Sequence, residues 1–228
     1  MRGRTIDLGL LALLMLLALS ADGQTVSPWK DSFQVEKANV TDIGWNTYFI
    51  LEPGYRLQFT DGGMTLTITV LSETKTVDGV TTRVVEEREE KKGQLLEVSR
   101  NFFAIDKTTL DVYYFGEEVD IYKKGKVVSH EGAWLAGVAG AKFGLMIPGN
   151  PRVGDKYYQE LAPKIAMDRA EVVASDAEVK THAGTFQHCL RIKETSAVES
   201  GSSKKVYAPG VGLIRDDEFV LTRYGKIL

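Results

Sequence analysis

The sequence is poor in residues that hold folds together through covalent or metal bonds. It has one cysteine, Cys189, and three histidines among 228 residues. A single cysteine cannot form an intramolecular disulfide, so noncovalent packing must stabilise the fold. Without a second cysteine, a zinc site would need carboxylates from distant segments to complete its ligand set. We therefore expect no metal and no cofactor.

A strong net charge of either sign is also lacking. The 28 Lys and Arg residues face 31 Asp and Glu residues, which gives a formal net charge of −3. Binding to the phosphates of a nucleic acid requires a basic surface. The balance of charges therefore predicts that no nucleic acid is a partner.

Two common catalytic motifs are absent. The sequence contains neither a Gly-x-Ser-x-Gly nor a His-Glu-x-x-His pattern. The glycines at 137, 140 and 144 have the wrong spacing for a dinucleotide-binding loop, and no Gly-Lys-Ser/Thr follows them. The sequence therefore predicts that the protein is not an enzyme.

One long apolar run is present, near the N-terminus. Arg2 and Arg4 precede the run Leu8–Leu19, and the small or polar residues Ser20–Gly23 follow it. This order is typical of a secretory signal peptide, and the run is shorter than the ~20 residues that span a bilayer. We predict that residues 1–23 are a signal peptide and that the mature chain has no transmembrane anchor. The protein is then exported, to the periplasm or the extracellular space.

The rest of the chain has the pattern of short antiparallel strands. Met64, Leu66, Ile68 and Val70 alternate with threonines, and Asp78-Gly79 is typical of a tight hairpin turn. Turn signals recur about every 8–12 residues, and no segment of helical length has a 3.6-residue period. We predict an all-β fold, an antiparallel meander of about 10–12 strands that forms a barrel or two half-barrels.

The predicted domain organisation is simple. Residues 24–52 contain aromatic residues without a sustained period and are predicted to be an irregular lead-in that packs on the sheet. Residues 53–228 form a single β domain, with possible halves 53–131 and 152–228. Turn signals of the first half recur in the second at offsets near 100 residues, which fits either an internal duplication or a chance echo of turn-rich strands.

A glycine-rich stretch, residues 132–151, joins the two possible halves. Long loops in compact domains are usually functional or packed by their own side chains. This stretch carries large apolar side chains between its glycines. We predict that it is a lid, and that Trp134, Phe143 and Met146 line the mouth of a cavity.

Two more residues complete the predicted ligand-binding set. In a strand beginning at Phe186, a period of two places His188 on the same face as Phe186, Leu190 and Ile192. His188 is then the one polar group on an apolar surface, and we predict that it and Phe186 contact the ligand. The alternative is that His188 is a satisfied core or rim residue and that Cys189 is a small buried one.

The charged run 86–92 has two interpretations. Four glutamates surround Arg88, and two lysines follow. Paired carboxylates can perform acid–base catalysis when their pKa values are separated. Charges on both faces of a strand near a turn are more often a solvated edge that blocks aggregation, and we predict such an edge.

Several segments resemble those of a family of uncharacterised exported bacterial all-β proteins. The resemblance lies in Asn46–Gly54, Glu73–Val80, Asp111–Glu117, Gly132–Trp134, Pro148–Tyr157, Ala183–Leu190 and Tyr207–Leu213. It implies an exported β protein and brings no catalytic residue with it. More loosely, the predicted architecture is similar to periplasmic half-barrel carriers that hold acyl chains.

Three hypotheses about function follow. In the first, the barrel binds a hydrophobic small molecule, a lipid or an extended partner segment. In the second, the protein has a filled core and acts as a structural or interaction protein on other envelope proteins. In the third, it is an enzyme in which two or more carboxylates, or His188, converge in a polar cleft. The state of the interior distinguishes the three hypotheses. It would be open and apolar in a binding protein, filled in a structural protein, and lined with groups of shifted pKa in an enzyme.

Overall fold

The computed structural model describes residues 28–226. The predicted signal peptide lies outside the described residues. Within them the secondary structure is β-strand apart from one short 3-10 helix, Lys37–Asn39. The described part of the chain contains no helix that is long and apolar enough to cross a membrane.

The strands fall into two groups on either side of residue 130. The first group is β1 (Val40–Thr41), β2 (Gly44–Asn46), β3 (Phe49–Leu51), β4 (Tyr55–Thr60), β5 (Met64–Val77), β6 (Val80–Lys91), β7 (Gln94–Asp106), β8 (Val112–Lys123) and β9 (Lys126–Ser129). The second group is β10 (Trp134–Leu135), β11 (Lys142–Ile147), β12 (Lys156–Tyr158), β13 (Glu160–Leu161), β14 (Asp168–Thr181), β15 (Gly184–Ser196), β16 (Ser203–Ala208), β17 (Gly212–Asp216) and β18 (Phe219–Lys226).

Thirteen of these strands follow one another in a single antiparallel sheet. The order is β12-β14-β15-β16-β17-β18-β4-β5-β6-β7-β8-β11-β13. The two ends of this order, β12 and β13, are separated in the chain only by Gln159, whose N–H donates to the Asp168 carbonyl at 2.8 Å. One short bent segment therefore pairs with β14 on one side and β11 on the other. The sheet is a nearly closed barrel, which confirms the predicted all-β fold.

The two halves of the barrel have equivalent strand orders. Each contains six successive antiparallel strands, β4-β5-β6-β7-β8-β11 in one half and β12-β14-β15-β16-β17-β18 in the other. The turns that begin them also correspond. The Gly54 N–H donates to the Val70 carbonyl at 2.8 Å, and the Gly154 N–H donates to the Val172 carbonyl at 2.9 Å. Both glycines have positive φ, which is the conformation that favours glycine at a tight turn.

Alternation along the long strands builds the core. On β5, Leu66 and Val70 are buried and Thr65 is exposed, as the period of two predicts. The inner face continues across the sheet through direct neighbours, since Leu66 lies opposite Phe59 and Val70 lies opposite Val85. The apolar interior is thus shared by both halves and by the lead-in.

The lead-in is more regular than predicted. β1 pairs with the C-terminal end of β7, and β2 and β3 form a separate hairpin. Phe49 packs edge-on against Phe103 with ring centroids 5.1 Å apart, as expected for an aromatic that covers the sheet. Trp45 does not, because 61% of it is exposed.

The glycine-rich stretch 132–151 is not a long loop, so the prediction of a lid there is wrong. It contains β10 and β11, which both pair with β8, and β11 also pairs with β13. Its glycines permit close backbone contact. A Cβ at Gly144 would lie 2.2 Å from the Gln159 carbonyl oxygen, where two segments of the barrel meet. Gly144 and Gly149 mark close backbone packing here, not flexibility.

The charged run 86–92 is not a solvated edge, and that prediction is also wrong. β6 pairs with β5 along one side and with β7 along the other, so it is a central strand. Glu87 lies two residues after the buried Val85 and shares its inner face. Part of the charge therefore points into the barrel.

Candidate functional site

The barrel interior contains a cavity of about 70 Å³. Both halves of the chain line it, with β4 to β7 on one side and β16 and β17 on the other. The apolar walls include Leu57, Ile68, Val70, Val85, Phe103 and Leu213. Polar groups come from two tyrosines and from Glu87, Lys205 and Asp216. An apolar cavity with a few convergent polar groups is the usual form of a small-molecule site.

The β2–β3 hairpin covers this cavity through Phe49 and Ile50. The hairpin is held to both halves of the barrel. The Asn46 amide donates to the Pro148 carbonyl at 3.4 Å, and the Tyr48 hydroxyl donates to the His188 carbonyl at 3.1 Å. The Gly210 N–H donates to the Thr47 carbonyl at 2.8 Å. The cover predicted for the glycine-rich stretch is therefore supplied by the lead-in.

A largely buried ion-pair group forms the polar end of the cavity. The Lys205 ammonium lies 3.2 Å from Glu194 and 3.5 Å from Asp216. Burial opposes the charge on Lys205, but the two carboxylates outweigh it and hold the pKa of Lys205 well above its ordinary value. Glu194 also accepts hydrogen bonds from the Gln159 amide at 2.9 Å and the Ser203 hydroxyl at 3.3 Å. Glu194 and Lys205 are thus already engaged with each other.

Glu87 differs from these groups because it is not paired. Its side chain lines the cavity, and within residues 28–226 its carboxyl makes no hydrogen bond or salt bridge. Burial raises the pKa of Glu87 to about 7, although Lys205 partly opposes the rise. The carboxyl is therefore an available group at the cavity wall.

Two buried tyrosine hydroxyls lack partners in the described part of the chain. Tyr157 and Tyr207 are each 2% exposed, and neither hydroxyl has a hydrogen-bond partner. Tyr207 lines the cavity. Buried polar groups are nearly always hydrogen-bonded, and an orphaned one needs an explanation such as a ligand or an ion. The Trp134 indole N–H is a third such group among the described residues, and of the three only Tyr207 lines the cavity, which adds an observation independent of charge.

Acidic side chains continue from the cavity along the barrel interior. Burial raises the pKa of Glu117 to about 7, and burial followed by the charge of Glu117 raises the pKa of Glu160 well above its ordinary value. Burial raises the pKa of each of the other carboxyls in this group, which are Glu89, Glu97, Asp168 and Asp216. All of these shifts have one direction and one main cause. Among the described residues, no three acids, histidines or cysteines are arranged to hold a metal ion.

One of the five predicted ligand-binding residues lines the cavity. That residue is Met146 on β11. Trp134 is buried against Tyr114, with ring centroids 5.4 Å apart, and Phe143 stacks on Phe115 at 5.1 Å. The structure therefore does not bring Trp134, Phe143 and Met146 together at one mouth.

His188 and Phe186 also lie away from the cavity. The prediction that His188 shares the apolar face is wrong, because 76% of its side chain is exposed and it pairs with Asp176 at 2.6 Å. The cause is a bulge in β15, where His188 takes a φ of 53° and shifts the alternation so that Cys189 and Leu190 are both buried. Phe186 packs against Tyr224, with ring centroids 5.9 Å apart.

Sequence reasoning missed the charged residues of the site. Glu87 follows Val85 by two positions, and Lys205 precedes Tyr207 by two, so the alternation that was applied to apolar residues also places these charges inside. Because the run 86–92 was predicted to be a solvated edge, the inward position of Glu87 was not recognised. The pairing of Lys205 with Asp216 depends on the β16–β17 register, which the sequence does not specify.

A larger groove lies on the outer face of β15 to β17. It has a volume of about 820 Å³, and its exposed basic residues are Arg191, Lys193, Lys204 and Arg215. Lys193 and Lys204 lie directly opposite each other across two strands, and neither forms a salt bridge within the described residues. Like charges in such positions destabilise a sheet. Asp217 and Glu218 also line the groove, so the basic residues are in moderate excess.

Comparison with known proteins gives two structural neighbours. No protein-family model matches the chain, and no significant match is found among curated proteins. A candidate lipoprotein from Parabacteroides distasonis is 12% identical, with a TM-score of 0.36 over 80% of this chain and 100% of its own. A candidate exported protein with a YmcC-like fold from Bacteroides fragilis is 14% identical, with a TM-score of 0.38 over 82% of this chain and 100% of its own. Similarity at this level carries no argument about function.

Proposed function

We propose that this protein is an exported binding protein that holds a small apolar or amphipathic molecule inside its barrel. The observation that carries the proposal is the cavity of about 70 Å³, with apolar walls and with Tyr207, whose hydroxyl has no partner within residues 28–226, in its lining. Apolar walls supply affinity through area removed from water, and the few polar groups orient the ligand.

The size of the cavity limits the ligand. Its volume of about 70 Å³ is roughly half of the ~150 Å³ that admits a benzene ring in a well-studied engineered cavity. A chain of about four carbons fits this space, and the acyl chain of a lipid does not unless the β2–β3 hairpin moves. Of the hydrophobic ligands considered, only small molecules therefore fit the cavity.

The two other hypotheses receive less support. A structural protein with a filled core has no need of a cavity or of a buried hydroxyl without a partner. An enzyme that uses two carboxyls as acid and base needs their pKa values to be pushed apart. In this barrel the pKa values of Glu87 and Glu117 are both raised by burial to about 7. A shared shift in one direction fits an interior that is poorly solvated better than it fits an acid–base pair.

Calorimetric titration with butan-1-ol tests the proposal. With about five non-hydrogen atoms, this probe can bind no more tightly than the micromolar range, and we expect a dissociation constant of ~1 mM. Ile68→Phe should weaken binding because Ile68 lines the cavity and is only partly buried, so a larger ring can enter that space. Leu71→Phe is the matched control, since Leu71 lies on the same strand and is also partly buried but does not line the cavity. Equal binding to both variants would contradict the assignment.

The outer groove supports a second candidate function, contact with an acidic segment of an envelope protein. The uncompensated pair Lys193 and Lys204 is the observation that favours it, because an anionic partner would relieve their repulsion. Poly-L-glutamate is a suitable probe, and binding should weaken steeply with salt. Lys193→Glu with Lys204→Glu should abolish it, whereas Lys123→Glu with Lys126→Glu, on the β8–β9 hairpin, should not. Loss of poly-L-glutamate binding in both double variants would show that binding depends on net charge alone, which would contradict the assignment to the groove.

A further inference from the structure

We propose that the ligand of the interior cavity is cationic, a short primary alkylammonium ion whose head lies between Glu87, Asp216 and Tyr207. This inference rests on the proposed function, because it assigns the chemical class of the molecule that occupies the same cavity. The apolar walls receive the hydrocarbon chain, and the polar end receives the ammonium group. Three observations lead to it, from charge, from hydrogen-bonding capacity and from burial.

The charge of the polar end favours a cation. Three charged side chains line the cavity, the acids Glu87 and Asp216 and the base Lys205. Lys205 already lies within 3.5 Å of both Glu194 and Asp216, so its charge is compensated. A carboxylate ligand would be repelled by two acids and would have to compete for a lysine that is already paired. An ammonium ion instead neutralises the excess negative charge.

The hydrogen-bonding groups also match an ammonium head. A primary ammonium ion has three N–H donors and no acceptor. The cavity offers acceptors in the carboxyl of Glu87, which is unpaired within the described chain, in Asp216, and in the Tyr207 hydroxyl oxygen. Hydrogen bonds between ionised groups are stronger than neutral ones, so this arrangement discriminates against an alcohol of the same length.

Tyr207 separates a binding role from a structural one. A buried hydroxyl without a partner costs free energy, so replacing it with a phenyl ring is neutral or stabilising when no ligand is bound. Tyr207→Phe should therefore keep or raise the melting temperature of the ligand-free protein. The same change should weaken ammonium binding, because one acceptor is lost. A purely structural residue would not move these two readouts in opposite directions.

Three probes with one hydrocarbon chain test the inference, namely butylamine, butan-1-ol and butyrate. In titrations at pH 8, butylamine should bind at least about tenfold more tightly than butan-1-ol. Butyrate should bind more weakly than butan-1-ol. Glu87→Gln should reduce the preference for butylamine by a similar factor while leaving butan-1-ol binding in place. Equal binding of amine and alcohol would overturn the inference and leave the proposed function standing. Absence of binding by all three would overturn both.

The pH dependence adds a further readout. Butylamine stays protonated between pH 6 and 8, as a lysine side chain does with its pKa of about 10.4. Binding should therefore strengthen across this range as Glu87 ionises, since the pKa of Glu87 is about 7. The other charged groups that act on Glu87 are Glu89, Glu97, Glu117, Lys205 and Asp216. The Glu87→Gln variant should lose this increase in affinity. If the variant keeps the pH profile of the parent protein, one of those neighbours causes the increase, and the role proposed for Glu87 is contradicted.

Discussion

The partly buried carboxyl of Glu87 makes the stability of the protein depend on pH in a direction that can be calculated. Burial raises its pKa from 4.5 to about 7. A difference of one pKa unit corresponds to about 1.4 kcal/mol, so the folded state loses about 3 kcal/mol relative to the unfolded state when Glu87 ionises. The pKa of Glu87 is higher in the folded state than in the unfolded state. The stability that the protonated carboxyl contributes is therefore fully present below pH 4.5 and is lost as the pH rises through about 7.

Glu87→Gln removes this loss. We compare the free energy of unfolding of the variant with that of the parent protein at two pH values. From pH 4.5 to pH 8, this difference should shift in favour of the variant by up to about 3 kcal/mol. Urea unfolding followed by far-UV circular dichroism at the two pH values measures it. Glu73→Gln is the control, because Glu73 is exposed on the neighbouring strand and should leave the pH dependence as it is in the parent. A Glu87→Gln variant with the pH dependence of the parent would refute the reasoning.

Three further predictions concern the barrel seam, the cysteine and the buried lysine. Gly144→Ala should destabilise the protein by several kcal/mol in urea unfolding, because its Cβ would lie 2.2 Å from the Gln159 carbonyl oxygen, whereas Gly63→Ala should cost little since its nearest contact is 3.8 Å away. Cys189 is 0% exposed and burial raises the pKa of its thiol, so Ellman's reagent should react with it only after unfolding, and fast reaction in the native protein would contradict its placement. Lys205→Met should cost about 3–5 kcal/mol at pH 8, because it leaves the buried Glu194 and the partly buried Asp216 without their cation. The cost should be smaller at pH 4.5 because burial raises the pKa of Asp216, and an equal cost at both pH values would contradict the ion-pair account.

Local patterns were sufficient for much of the fold. β4 lies between the turn-forming pairs Pro53-Gly54 and Asp61-Gly62, and the Asp78-Gly79 turn joins β5 and β6 as expected. These features depend on neighbours in the chain, and they fix the all-β class. The pairing of β18 with β4 and the closure at Gln159 join segments that are far apart in sequence, and no local pattern specifies them.

The errors have physical causes that can be named. Period-two reasoning fails at a bulge, and His188 lies at one. A run of glycines was interpreted as flexibility, although Gly144 permits close packing of two segments.

The candidate site was harder to predict than the fold. Met146 was identified as a cavity residue, and Glu87, Lys205 and Tyr207 were not. Polar residues in a strand are normally assigned to solvent, because burying a charge is costly unless it is paired. Only the tertiary structure shows that β6, β16 and β17 direct their charges to the same place.

Methyl NMR spectroscopy tests most directly whether the interior cavity is the ligand site. Butylamine titrated at pH 8 should give saturable shifts of the methyl groups of Ile68, Val85 and Leu213, which line the cavity. The methyls of Ile147, which is buried elsewhere in the core, should not move. Saturable shifts confined to surface residues such as Val128, or no saturable shift at all, would contradict the claim.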